Sequence, residues 1–218
     1  MKTLWWQSFF AEQRARHGKV VFSVAELANA AQTNLHSVNT ELGRLLRRGL
    51  ITRYAHGQYG PAQDVVPEDI LPQVDSGAYI TGFQALHRHH LVTQVPTEVT
   101  CFTNRRHNRK ADRITPAGRL RFIQVQAPIY AKAADQVLAP SEQALCDFVW
   151  LNLKDGVDPQ SLVTFRNLNS LHPRRLTRIL RRYPEAVRIN VGRIVRFTGT
   201  TGGIIDMRPS ATQACGKK

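Results

Sequence analysis

An α+β fold is predicted for this chain, a winged helix-turn-helix followed by a mixed α/β domain, on three observations. The first sixty residues run helix, short strand, helix, turn, helix, hairpin. A segment at residues 62–75 with Pro67, Pro72 and the acidic cluster Asp64, Glu68, Asp69 and Asp75 then reads as a domain boundary. Beyond it, capped helices are interleaved with strand-like runs.

Taken in order, residues 4–16 read as a helix with Leu4, Trp5, Phe9 and Ala11 or Glu12 on alternating faces. Val20-Val21-Phe22 is a β-branched and aromatic run suited to a short strand. Ser23-Val24-Ala25-Glu26 is a capping box: the Ser23 hydroxyl should accept from the Glu26 amide while the Glu26 carboxylate accepts from the Ser23 amide. The helix it opens turns Leu27 and Ala28 inward and stops around residues 31–34. A second helix is predicted from Leu35 to Arg48, with Leu35, Val38, Leu42, Leu45 and Leu46 on one stripe. Gly49 is placed for the left-handed residue that ends a helix. Leu50 to Tyr54 then alternates as a strand, His56-Gly57 turns, and Gln58-Tyr59-Gly60 returns.

In the second block, Thr81 and Gln84 form another capping-box pair that opens a helix to about His89. His90 occupies the place where Gly or Asn normally ends a helix, and His tolerates positive φ better than most residues. Glu98 to Thr103 and Leu120 to Val125 read as strands, joined through a basic loop from Arg105 to Lys110. Pro140 starts a helix that runs to about Leu153. Asp158-Pro159 is an N-cap with Pro at the first helical position, opening a helix to about Asn167. Pro173 to Tyr183 places Leu176, Ile179, Leu180 and Tyr183 on one face and Arg174, Arg175, Arg178, Arg181 and Arg182 elsewhere. Val187 to Phe197 reads as a hairpin turning at Val191-Gly192, so that helix, helix, hairpin would mimic a second winged unit. Residues 198–218, rich in Gly, Thr and Ser, read as a flexible tail. The predicted units are therefore 1–61, 76–197 and 198–218.

Thirty Lys and Arg against sixteen Asp and Glu give a formal charge of +14 over 218 residues. Such a surface favours polyanions over neutral small molecules. No stretch approaches the roughly 18 consecutive apolar residues of a membrane span, and the start lacks a signal-peptide cleavage pattern. Cys101, Cys146 and Cys215 are widely spaced, with no CxxC. That pattern argues against a disulfide framework or zinc ribbon and fits a reducing cytoplasm.

In a helix-turn-helix the second helix enters the major groove and reads base edges near its N-terminus. Setting Val38 and Leu42 inward turns His36, Ser37, Thr40, Gly43, Arg44 and Arg47 outward. Arg44 is best placed for a bidentate contact to guanine, and Arg47 and Arg48 sit where phosphates would pass. Gly43 costs about 1 kcal/mol relative to Ala in a helix, which suggests a close approach of its backbone to something. In the wing, Arg53, His56 and Gln58 are candidates for the DNA backbone or minor groove. A solvated arginine face used for protein contacts is the alternative. The charge, and the lack of any acidic residue from Leu42 through Gln63, favours double-stranded DNA. Additional phosphate contacts are expected from Arg105, Arg106, Arg109 and Lys110 and from Arg174, Arg175 and Arg178.

The chain also resembles a family. The winged unit ending in Gly57-Gln58-Tyr59 is similar to the antitoxin of AbiE-type (type IV) toxin–antitoxin systems. So are Tyr79-Ile80-Thr81-Gly82 with Ala85-Leu86, the following His89-His90-Leu91, Pro96, and the Pro140 to Asp147 segment. The likeness spans roughly residues 5–155. His90 departs from it, standing where the family usually has Gly, and so does Ser141, which interrupts a contiguous Pro-Glu pair. The resemblance implies a transcriptional repressor of its own operon. It also implies a second domain that counters a cognate nucleotidyltransferase-like toxin without a stable complex.

Neither cofactor, metal nor enzymatic activity is expected. His87, His89 and His90 crowd together but cannot converge on one metal from a helix. Walker, dinucleotide and nucleophile-elbow patterns are missing, and Glu98, Asp112, Asp135, Glu142 and Asp147 form no evident nuclease cluster. A plasmid- or replication-associated DNA-binding protein and a metal-dependent nuclease are the remaining alternatives.

Overall fold

A computed structural model describes residues 3–107 and 111–197. The chain is α+β. Its first part consists of α1 (Thr3–His17), β1 (Phe22–Ser23), α2 (Val24–Ala30), α3 (Leu35–Arg47), β2 (Ile51–Ala55) and β3 (Gln58–Pro61). The three strands form an antiparallel sheet in the order β1-β3-β2. The capping box forms as its residues dictate, with the Glu26 amide donating to Ser23 Oγ at 3.2 Å and the Ser23 amide to Glu26 Oε2 at 2.9 Å. Gly49 and Gly57 take φ of +66° and +69°, ending α3 and turning the hairpin at conformations that side chains resist.

The core of this part is an aromatic cluster of Trp6, Phe10 and Phe22 closed over Leu27, Val38, Leu42 and Leu45. Two expectations need correction here. The buried face of α1 carries Trp6 and Phe10, whereas Leu4 is 72% exposed and Trp5 stacks on Phe9 outside. Leu35 has the right phase for the α3 stripe but is 55% exposed.

Residues 62–75 contain a helix rather than a plain linker, α4 (Pro67–Val74), with Pro67 in its first turn. Glu68 and Asp69 lie in that same turn, where carboxylates complement the helix dipole. Ile70 and Leu71 are fully buried. They belong to a cluster with Val20, Val21 and Tyr54 on one side and Ile80, Val99, Leu120 and Phe122 on the other. Gln73 Oε1 accepts from the Val21 amide at 3.0 Å and Arg14 pairs with Asp69 at 3.1 Å, so α4 is held against the first part.

The second part contains β4 (Tyr79–Ile80), α5 (Gly82–Arg88), β5 (Glu98–Thr103), β6 (Asp112–Thr115), β7 (Gly118–Gln124), α6 (Ser141–Lys154), α7 (Pro159–Leu162), α8 (Pro173–Leu180) and α9 (Glu185–Phe197). Its sheet runs β4-β5-β7-β6, with β5 and β7 parallel and the other pairs antiparallel. Helix α6 is the hub, with residues 142–149 all buried, and α5, α8 and α9 pack around it. Among the described residues no helix is long and apolar enough to cross a membrane.

Three local expectations differ from the structure. Thr81 stands at the N-cap of α5 without capping it; its hydroxyl donates instead to the buried Asp147 carboxylate at 2.6 Å. Asp158-Pro159 opens a single turn, after which the chain straightens at Val163 and Phe165 bridges to Val92. The hairpin expected over 187–197 is helix α9. Val187, Val191 and Ile194 have strand-forming side chains but lie at i, i+4 and i+7, and burying that stripe in the main core overrides their β propensity. The tail at 198–218 lies outside the described residues.

Candidate nucleic-acid interface

Helix α3 is set by its cap. Asn34 Oδ1 accepts from the Ser37 amide at 2.8 Å, after a turn in which Gln32 takes φ of +49°. Burial of Val38, Leu42 and Leu45 then fixes the helix rotation and leaves His36, Ser37, Asn39, Thr40, Arg44 and Arg47 facing solvent. The Thr40 hydroxyl donates to the His36 carbonyl at 3.1 Å, which leaves its oxygen as an acceptor on that face. Arg44, 62% exposed, makes a loose contact with Glu41 at 3.4 Å. Glu41 was not among the predicted site residues, although its i,i+3 spacing to Arg44 is visible in the sequence. A depression of about 310 Å³ runs along this face, lined by Trp6, Thr33, His36, Ser37, Glu41 and Arg44 among others. A Cβ at Gly43 would meet nothing within 4 Å, so the fold itself does not require glycine there.

At the C-terminal end of α3, Arg47 is exposed and Arg48 donates to Thr3 Oγ1 at 3.1 Å, tying α1 to the helix. At the hairpin, Arg53 Nη2 contacts His56 Nδ1 at 2.7 Å and Arg53 Nε donates to the Ala55 carbonyl at 3.2 Å, so the two exposed side chains form one unit. Gln58 is placed differently. It is half-buried and its Nε2 donates to the Gln73 carbonyl at 3.4 Å, turning it toward α4. Lys19, 2.6 Å from Glu26, holds that carboxyl below its usual range and strengthens the start of α2.

The basic loop is anchored by a cluster that sequence reasoning missed. Asp75, read above as part of an acidic linker, is buried and accepts from Thr103 Oγ1 at 2.6 Å, His107 Nε2 at 2.8 Å and the Gly77 amide at 2.9 Å. Burial pushes its pKa up, but these donors outweigh burial and leave the carboxyl below its ordinary value. The His107 ring stacks on Phe122 with centroids 4.2 Å apart. Arg105 lies 3.7 Å from Asp75 and Arg106 is exposed, whereas Arg109 and Lys110 lie outside the described residues. Arg174, Arg175 and Arg178 are exposed on α8. His89 contacts the Ala139 carbonyl at 2.7 Å and His90 takes φ of +57°, so these histidines serve the end of α5. Among the described residues no group of three or more His, Cys, Asp or Glu is placed to hold a metal ion.

No family model matches the chain, and no curated protein does. Its fold is similar to that of the RV2827C protein from Mycobacterium tuberculosis. The two align with a TM-score of 0.56 at 15% sequence identity, over 89% of this chain and 77% of that one.

Proposed function

We propose that residues 3–61 are a winged helix that binds double-stranded DNA through α3, and that the protein is a sequence-specific repressor of its own operon. The outer face of α3 carries this reading: His36, Ser37 and Thr40 are exposed near the start of the capped helix, and Arg44 continues the same face in its last turn. Short polar groups and a guanidinium in that position are the chemistry that reads base edges in a major groove. The three-helix order, the β1-β3-β2 sheet and the Arg53–His56 pair at the hairpin support it, as does the charge of +14. Arg47 supplies phosphate contact beside the reading residues.

The resemblance to AbiE-type antitoxins extends the proposal. The protein acts in the cytoplasm without enzymatic activity of its own, and its second part counters a nucleotidyltransferase-like toxin encoded beside it. Gel-shift binding to the DNA upstream of its own gene, against an unrelated fragment of equal length at two salt concentrations, tests the repressor. A preference for the upstream fragment that persists at higher salt is expected. Equal binding that vanishes with salt overturns it. Growth rescue on co-expression with the neighbouring gene tests the antitoxin role.

A further inference from the structure

Much of the positive charge lies far along the chain from α3. Between Arg174 and Arg196 there are eight arginines and one carboxylate, Glu185. Seven of the eight are exposed and Arg182 is half-buried. Among the described residues, Arg175 is the one member with a carboxylate within 4.0 Å, the Glu142 oxygen at 3.7 Å. Helix α8 buries Leu176, Ile179 and Leu180. That burial turns Arg174 and Arg178, one turn apart, to the opposite face with Arg175 beside them. Like charges at this spacing repel and destabilise a helix unless an anion lies between them.

The space for such an anion is present. His172, Arg174, Arg175 and Arg178 line a depression of about 380 Å³ that runs along α8 from its N-cap to Arg178 in its last turn. The buried Glu142 holds two of these residues in place: its Oε1 accepts from the His172 amide at 2.9 Å and its Oε2 lies 3.7 Å from Arg175. His172 Nδ1 in turn accepts from the Arg175 amide at 3.4 Å and caps the helix. Guanidinium groups lining one depression match the charge and the planar, bidentate geometry of a phosphate.

We infer that the arginine face of α8 is a phosphate-binding site, and that its phosphate belongs to the backbone of the DNA held by α3. The inference rests on the DNA-binding reading. Its independent support is the shape of the region: α2 and α3 have seven and thirteen residues joined across 31–34, and α8 and α9 have eight and thirteen joined across 181–184. In a helix-turn-helix the first helix of the pair crosses the sugar–phosphate backbone. Here that helix is the one carrying Arg174 and Arg178. The site adds affinity and fixes register without reading sequence.

The test uses the full chain with Arg174→Gln and Arg178→Gln together. Among the described residues neither side chain holds an ion pair, and a Tm no lower than that of the unaltered protein shows that the variant is folded. Arg175 is kept, because removing it would strand Glu142. Binding to the upstream duplex and to an unrelated duplex is followed across salt concentration. Loss of the phosphate held there makes the logarithmic salt slope shallower by about 0.9, with the ratio between the duplexes unchanged. An unchanged slope in the folded variant overturns the inference. Inorganic phosphate titrated at constant ionic strength separates the sources. If it raises the Tm of the unaltered protein but not of the variant while the DNA slope stays the same, the site takes free phosphate and the DNA assignment falls. Failure of the unaltered protein to bind any duplex overturns the preceding function instead, and leaves the phosphate titration to decide the pocket alone.

Discussion

The α2–α3 and α8–α9 pairs share a four-residue turn and a thirteen-residue second helix, yet their surfaces and supports differ. α2 starts in a reciprocal Ser23–Glu26 cap and α3 in an Asn34 cap. α8 is capped by a histidine ring, and α9 follows Pro184. α3 buries its stripe in a small aromatic cluster with Trp6, Phe10 and Phe22, whereas α9 buries Val187, Val191 and Ile194 in the main core around α6. Outside, α3 shows short polar groups interspersed with arginines, and the second pair shows arginine at most of its polar positions. Reading bases needs varied donors and acceptors in fixed places, whereas holding a backbone needs only charge. On the proposed function and the inference above, the same helical unit is tuned for specificity at one end of the chain and for affinity at the other.

The largest effects should come from the two cores. Leu42→Ala and Ile194→Ala remove buried side chains from α3 and α9, and each should lower stability by about 2–5 kcal/mol in urea denaturation. The cluster of Tyr54, Ile70, Leu71, Ile80, Val99 and Leu120 packs both parts together, so both variants should still unfold in a single transition. Separate transitions would show that the two pairs are carried by independently folding bodies.

A pH dependence should distinguish the pairs next. Asp147 is fully buried on α6 and accepts from Thr81, Tyr79 and from Tyr183, which lies in the turn between α8 and α9. Burial raises its pKa to about 7 against the partial compensation of these hydroxyls. The folded state thus holds this proton more tightly than the unfolded chain. Its contribution to stability is full below pH 4, declines as pH rises toward about 7, and is constant beyond. Asp147→Asn removes that decline, so stability relative to the unaltered protein should rise across this window by up to about 4 kcal/mol. A difference independent of pH would mean that Asp147 does not titrate there. The α2–α3 turn contains no ionisable residue, so amide exchange in it should not follow the same curve.

What the sequence displayed and what it hid follows from the range of the interactions. The caps at Ser23 and Asn34, the glycines at 49 and 57 and the stripe of α3 depend on neighbours within a few residues, and pattern alone places them. The α9 stripe was equally local but was masked by β-branched residues, whose preference is settled by what they pack against. Thr81 looked like a cap because its partner, Asp147, is 66 residues away. Asp75 looked like linker charge because Thr103 and His107 reach it only after the sheet forms. Of the proposed interface, the outward face of α3 was legible from the phase of Val38 and Leu42. The turning of Gln58 toward Gln73 was not, since it depends on the docking of α4.

Within α3, Arg44→Ala should relax base preference by about 1–3 kcal/mol at one position of the site. Arg47→Ala should weaken all sequences alike and make the logarithmic salt slope shallower by about 1. Competition between base-substituted duplexes at several salt concentrations separates the two. If both variants lose equally on every duplex, α3 holds phosphates as α8 is inferred to do, and the contrast between the pairs disappears.

The smallest effect concerns how the two second helices begin. Asn34→Ala removes the acceptor for the Ser37 amide and should cost about 1 kcal/mol, against a few tenths for Asn34→Gly. The loss falls on the turn that carries His36 and Ser37, so DNA affinity should drop along with Tm. At α9, Pro184 contributes its carbonyl, which accepts from the Val187 amide at 3.1 Å and survives Pro184→Ala. That substitution should leave both Tm and the DNA preference ratio close to those of the unaltered protein. Equal losses at the two positions would mean that the start of α9 is as closely set as the start of α3. The second pair would then be a candidate for base reading as well as for holding phosphate.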